Sequence, residues 1–157
     1  MRRFAAIYAF RLPTQKSEDP RLLANHVANS GTGKVYLAPT DVNTEEKTVV
    51  QPDIFYVSNE RLRLFAPDGS RFTGAPDLVI EVLSKTSVER DMNEKRTAYE
   101  KMKVREYWAV DYMNKRVYVF VPGPDGRYPD PRVLTGSAVL STPVLPGLEI
   151  ALPALWS

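Results

Sequence analysis

Glu81 lies within Leu78-Val79-Ile80-Glu81-Val82-Leu83, where every neighbour is apolar. A carboxylate buried in such company costs several kcal/mol unless something compensates it. Three kinds of partner suffice: a hydrogen-bonding network, a lysine or arginine, or a bound divalent cation. Val88, Met92, Lys95, Tyr99 and Met102 repeat at spacings of four, three, four and three, which is one face of a helix. Lys95 is the polar member of that otherwise apolar stripe. A lysine so placed can snorkel outward, but against the strand that carries Glu81 its ammonium is expected to point inward. Asp91, one turn earlier on the flank of the stripe, is placed to orient it.

Two aspartates follow prolines at the starts of strands, Pro52-Asp53 and Pro76-Asp77, positions where an Asp often only caps a turn. Asp77 shares a strand face with Glu81 but stands four residues away, about 13 Å at a rise of ~3.3 Å, too far to share one metal ion. Asp53 comes from a different strand, and its carboxylate converges with that of Glu81 if the two strands are neighbours. Asp53 and Glu81 are therefore the candidate metal ligands, with Asp77 in a supporting or structural role. Two carboxylates and a lysine around magnesium, or manganese in its place, make a site for phosphodiester hydrolysis. The metal acidifies its water and holds a phosphate oxygen, while the lysine offsets charge on the phosphate or orients the attacking water.

These residues need elements to hold them. The segment from Asp77 to Leu83 is nearly continuous in apolar residues and reads as a central strand covered on both faces. Thr86 and Glu89 form a capping box that opens a helix reaching Lys103, free of proline and glycine. Before the central strand, Arg21 to Asn29 reads as a short helix stopped by Ser30-Gly31-Thr32-Gly33, followed by strands at Val35–Leu37 and Asp53–Val57. Residues 43–47 read as a turn and residues 58–75 as an exposed loop. Glu106 to Tyr112 and Lys115 to Val121 read as a hairpin turning at Met113-Asn114 and stopped by Pro122-Gly123-Pro124-Asp125-Gly126. Prolines crowd the tail after Val121, which points to short edge strands and irregular coil.

Taken together, Gln51-Pro52-Asp53, the run from Gly74 through Pro76-Asp77 and Glu81 to Ser84, then Asp91 and Lys95, and finally Glu106-Tyr107-Trp108-Ala109-Val110-Asp111 resemble the Uma-type restriction endonuclease family of the PD-(D/E)xK nuclease superfamily. The resemblance runs from about Val35 to Val121. It implies an α/β, restriction-endonuclease-like fold with a central mixed β-sheet flanked by helices and a carboxy-terminal β-hairpin, and a magnesium-dependent endonuclease acting on DNA. Carried onto this chain, it puts Asp53 and Glu81 in the metal positions, keeps Asp77 and Ser84 as motif residues and makes Lys95 the basic group. In the wider superfamily the lysine stands two residues after the acid on the same strand. That place is Leu83 here, so the lysine must come from the helix, and Lys85, where the family usually has a proline, is a competing donor. Lys103 stands where a glycine is common, and no counterpart of the family's additional strand and longer first helix is evident before Val35.

The bulk properties agree with one domain over residues 1–157, with a core at 35–121 and a loosely packed arm at 1–20. The chain has 157 residues, 43% hydrophobic and 25% charged, and no cysteine, which excludes a disulfide scaffold, a thiol nucleophile and cysteine zinc sites and makes a reducing cytoplasm the expected location. The basic and apolar start resembles a secretory signal, but Arg11 interrupts it and no small-residue cleavage site follows. No stretch approaches the ~20 apolar residues of a membrane span. The net charge of +2 permits a nucleic-acid-binding patch without predicting one, and a solvated helix face explains Lys85, Arg90, Arg96, Lys101, Lys103 and Arg105 better than a phosphate-contacting surface does.

His26 is the only histidine, so histidine metal clusters and serine triads find little support, and a surface or satisfied core position is expected for it. Gly31-Thr32-Gly33-Lys34 lacks the spacing and the hydroxyl of a phosphate loop. Tyr107, Trp108, Tyr118 and Phe120 read as core and cross-strand pairs. The leading expectation is a DNA endonuclease, acting as a homodimer because cutting both strands calls for two sites. The rival is a catalytically silent nuclease-fold module that binds nucleic acid or a protein partner.

Overall fold

A computed structural model describes residues 23–43, 49–64 and 71–156. The expected arm at 1–20 and most of the expected turn at 43–47 lie outside them. Helix α1 (Leu23–Ser30) leads into strands β1 (Gly33–Leu37), β2 (Asp41–Asn43), β3 (Val49–Val50) and β4 (Ile54–Ser58), and a 3₁₀ turn follows at Arg61–Leu64. Strands β5 (Arg71–Thr73) and β6 (Leu78–Val82) come next, then a helical segment in three pieces: α2 (Val88–Arg90), a π-wound turn (Asp91–Lys95) and α3 (Arg96–Lys101). The chain continues through β7 (Glu106–Asp111), β8 (Arg116–Phe120), β9 (Arg132–Thr135), β10 (Val139–Ser141) and β11 (Glu149–Ala151), and a 3₁₀ turn spans Leu152–Leu155.

Among the described residues six strands form the main sheet, in the order β1-β4-β6-β7-β8-β9. Every neighbouring pair is antiparallel except β6 and β7. A parallel pair needs a crossover, and the helical segment between β6 and β7 supplies it, which lays that helix across one face of the strand bearing Glu81. Each face has its own core. Phe55, Val57, Val79, Leu83, Tyr99, Tyr107 and Ala109 pack on the helix side. Ile54, Tyr56, Leu78, Ile80, Trp108 and Val110 pack on the other, beneath Leu23 and Val27 of α1 and Leu140, Leu148, Ile150 and Leu155 of the tail. The architecture is thus the expected α/β mixed sheet flanked by helices, with a carboxy-terminal hairpin of β10 and β11. The paired β7 and β8 follow the expected strands closely.

Four local expectations need correction. The helix begins at Val88 rather than Thr86, and its cap residue is Ser87, which makes no side-chain cap bond. No capping box forms, because Ser87 Oγ is instead taken up by the Ser84 amide and hydroxyl at 2.9 Å each. The helix ends at Lys101, and Lys103 takes a left-handed φ of 61°. The supposed loop 58–75 contains β5, which pairs in parallel with β2. The tail has the short edge strands expected, β9 lying at the edge of the main sheet on β8, but it also closes with a 3₁₀ turn at Leu152–Leu155 where coil was expected.

At the amino-terminal end of the described chain, Gly31 (φ 64°) accepts the left-handed position after α1, and its amide donates to Val27 O at 2.9 Å. A Cβ on Gly33 would stand 2.2 Å from Val57 O, so this glycine is what lets β1 close on β4. The Gly31-Thr32-Gly33-Lys34 segment is accounted for by these two backbone tasks. His26 shares a 3.1 Å hydrogen bond with Pro146 O.

Candidate active site

The register of β4 against β6 sets Ile54 opposite Ile80, so the next step of the same ladder brings Asp53 alongside Glu81. Residues directly opposite in an antiparallel pair share a face, here the helix side. Asp53 Oδ2 accepts the Val82 amide at 2.9 Å, which ties the aspartate to the strand that carries the glutamate.

From the helix, Lys95 Nζ reaches Glu81 Oε2 at 2.9 Å and Asp91 Oδ1 at 3.0 Å. Glu81 and Asp91 are fully buried, while Lys95 keeps 17% of its side chain exposed. The π-wound turn runs from Asp91 to Lys95, and such turns are concentrated at functional sites. Its first carbonyl, that of Asp91, is held by the Tyr107 hydroxyl from β7 at 2.9 Å. One turn further on, the Tyr99 hydroxyl donates to Glu81 Oε1 at 2.5 Å. Tyr99 packs edge-on against Tyr107 with centroids 5.0 Å apart, and Tyr107 stacks on Phe120 at 5.2 Å.

Of the three compensations open to a buried Glu81, two are therefore present in protein groups: a hydrogen bond and an ammonium. They do not fully offset the cost. Burial raises the Glu81 carboxyl from 4.5 to about 7, with Lys95 and Tyr99 opposing the rise and the nearby charge of Asp53 adding to it. Burial alone lowers the Lys95 ammonium, but Glu81 and Asp91 outweigh it and hold the group above its usual range. Burial raises the Tyr99 phenol too, helped by the Glu81 charge, so Tyr99 is a donor throughout.

The other residues singled out in the sequence lie elsewhere. Asp77 is fully buried at the far end of β6, where Oδ2 accepts the Ser58 amide at 2.6 Å and Oδ1 meets Arg105 at 3.1 Å and Arg61 at 3.4 Å. It welds β4, β6 and the Arg61 turn together. Ser84 shapes the turn from β6 into the helix through Ser87 and Thr86. Lys85 is exposed on that turn, and Lys95 is the lysine paired with Glu81. Tyr99 and Tyr107 read in the sequence as packing residues, but a tyrosine instead of phenylalanine or leucine at a buried position signals a partner for its hydroxyl.

Among the described residues no three of His, Cys, Asp and Glu gather as a metal cage. Magnesium does not require one: it keeps several waters and commonly takes one or two carboxylates plus substrate phosphate oxygens. The oxygen donors Asp53 and Glu81 fit that habit and suit manganese equally, whereas a closed zinc or calcium site would need more protein ligands.

A family model described as "Uma2: Putative restriction endonuclease" matches residues 20–153. The chain belongs to the Uma2 family. The match extends beyond the Val35 to Val121 span evident from motifs and takes in α1 and the tail, so the departures before Val35 do not mark the edge of the family domain. The Uma2 fold is also seen in a crystal structure described as "a putative nuclease belonging to DUF820" from Anabaena variabilis, which is similar with a TM-score of 0.76 at 16% identity, over 99% of this chain and 80% of that one. No curated protein matches. Within the Uma2 family the chain is thus a restriction-endonuclease-like, nuclease-family protein.

Proposed function

We propose that the chain is a magnesium-dependent endodeoxyribonuclease whose site is built by Asp53, Glu81 and Lys95. The observation that carries this reading is the meeting of two carboxylates from adjacent strands with a helix-borne ammonium 2.9 Å from one of them, in a chain of a nuclease family. Asp53 and Glu81 would hold the metal, which when bound lowers the pKa of its water and polarises a phosphate oxygen. Lys95 stays protonated because Glu81 and Asp91 hold its ammonium above its usual range. It therefore serves to offset negative charge on the reacting phosphate rather than to accept a proton. Tyr99 fixes the Glu81 carboxylate in rotation by occupying Oε1, and Asp91 fixes the lysine. Cutting both strands of DNA calls for two such sites, and a homodimer provides them.

The test is nicking of supercoiled plasmid with magnesium or manganese, alongside calorimetric titration with manganese. The wild-type protein is expected to nick and to bind the metal, and Asp53→Asn and Glu81→Gln to lose both while remaining folded.

A second reading is favoured by one specific observation: Glu81 is fully buried and both of its oxygens have protein partners, Tyr99 and Lys95. A nuclease-fold module without catalysis, binding nucleic acid or a protein, would keep such a self-satisfied carboxylate. It predicts no Glu81-dependent metal binding and no nicking, with DNA or partner binding unaffected by Glu81→Gln.

A further inference from the structure

Glu81 presents its two oxygens unequally. Oε1 is tied to a buried phenol, whereas Oε2 meets, among the described residues, the Lys95 ammonium alone. A cation coming to Glu81 and Asp53 must use Oε2, the seat the ammonium holds. Asp91 is also fully buried, and among the described residues its Oδ1 meets only the same ammonium, at 3.0 Å, while its Oδ2 has no hydrogen-bond partner. A sealed carboxylate with so little else to satisfy it is an expensive group to keep. Its placement makes sense if it keeps hold of the ammonium once another cation takes Glu81 Oε2. Lys95 touches both carboxylates at once, from a π-wound turn, and keeps part of its side chain in solvent, so a small rotation of its flexible four-carbon stem would free Glu81 Oε2 while Nζ stays on Asp91.

We propose that Lys95 is the resident cation of the metal site, bridging Glu81 Oε2 and Asp91 Oδ1 when no metal is bound, and that Asp91 is a positioning residue that retains the ammonium when a divalent ion takes the Glu81 oxygen. The inference rests on the metal reading of Asp53 and Glu81 and goes beyond it. It assigns Asp91 a task during metal entry, and it explains how Glu81 can be satisfied by the protein and still be a ligand.

The experiment is manganese affinity, read by electron paramagnetic resonance of the free ion, for wild type, Lys95→Met, Asp91→Asn, the double variant Lys95→Met/Asp91→Asn, and Glu81→Gln, each first checked for a cooperative thermal transition. Removing the competing ammonium is expected to tighten binding about tenfold or more. Asp91→Asn, which takes away the second seat, is expected to weaken it about tenfold. The double variant decides between competition and net charge, because it has the same formal charge as wild type. Binding tighter than wild type supports competition, and binding equal to wild type overturns the proposal. If Lys95→Met does not fold, the double variant carries the test, since removing both members of a buried pair leaves no lone charge. Binding lost in Glu81→Gln but indifferent to Lys95 and Asp91 rejects this inference and leaves the metal reading standing. Absence of Glu81-dependent binding in every form rejects both.

Discussion

At the scale of single residues, Glu81 illustrates how a buried carboxylate, here a candidate metal ligand, is held at a cost in stability. Its pKa rises on folding from 4.5 to about 7. Between those values the folded chain binds more protons at this site than the unfolded chain, so this group's contribution to stability falls as pH rises through that window. Glu81→Gln is therefore expected to unfold at a higher temperature than wild type at pH 8 without metal, by at most about 3 kcal/mol of stability, and to lose that advantage near pH 4. Thermal melts of both proteins across pH 4–8 check the sign, and a variant less stable than wild type at every pH would contradict it. Asp77 presents the opposite case. It is buried in ion pairs with Arg61 and Arg105 and accepts the Ser58 amide, so Asp77→Ala leaves two arginines without their partner. A loss of about 3 kcal/mol in urea unfolding is expected, with manganese affinity per folded molecule unchanged. The two acids were told apart in the sequence by spacing along a strand of fixed rise. The tyrosine hydroxyls at Glu81 and Asp91 were not legible there, because helical periodicity reports which residues face inward and says nothing about which polar atoms meet.

At the scale of elements, the helical segment shows where local rules prevail and where they yield. Its apolar stripe correctly brought Lys95 and Tyr99 to the face of β6, since burial along 3.6-residue periodicity is a strong signal. Its start was misplaced because the hydroxyls of Ser84 and Ser87 bond one another across the strand exit, a competition that a four-residue capping pattern does not register. The π-wound turn was invisible for a related reason: it is stabilised from outside, by Tyr107 on β7. The end of the helix yields a prediction. Lys103 holds a left-handed φ of 61° where glycine is the usual choice, so Lys103→Gly is expected to raise stability by roughly 1 kcal/mol, measured as a shift in the urea midpoint with an unchanged slope. At Gly33 the sign reverses. A methyl group there meets the Val57 carbonyl, and Gly33→Ala is expected to lower the thermal midpoint by separating β1 from β4.

At the scale of the whole molecule, the sheet has one face that gathers the candidate site and one for anchoring. Asp53, Glu81, Asp91 and Lys95 gather under the helix, while the opposite face is closed by α1 and the tail. Glu106 belongs to the anchoring side. Its carboxylate accepts from Trp108 Nε1 at 2.5 Å and from Thr142 Oγ1 at 2.7 Å, joining β7 to the segment after β10. A chain ending at Gly136 would leave Ile54, Ile80 and Trp108 open to water, and it is expected to lose the cooperative unfolding transition seen for the full chain by calorimetry. The mixed sheet could be read from the apolar run of β6 and the hairpin of β7 and β8. The cover supplied by the tail could not, because its strands are three residues long and separated by prolines, so their meaning lies in what they rest on.

That arrangement bears on how the protein is made. Leu140, Leu145, Leu148, Ile150, Leu152 and Leu155 complete the core beside Trp108, and they are synthesised after all the main-sheet strands they cover. Until they leave the ribosome, a growing chain would display a broad greasy surface, the kind that attracts chaperones and other nascent chains. The strands that carry Asp53 and Glu81 are made earlier, and their back is fully covered only once residues 138–156 have followed.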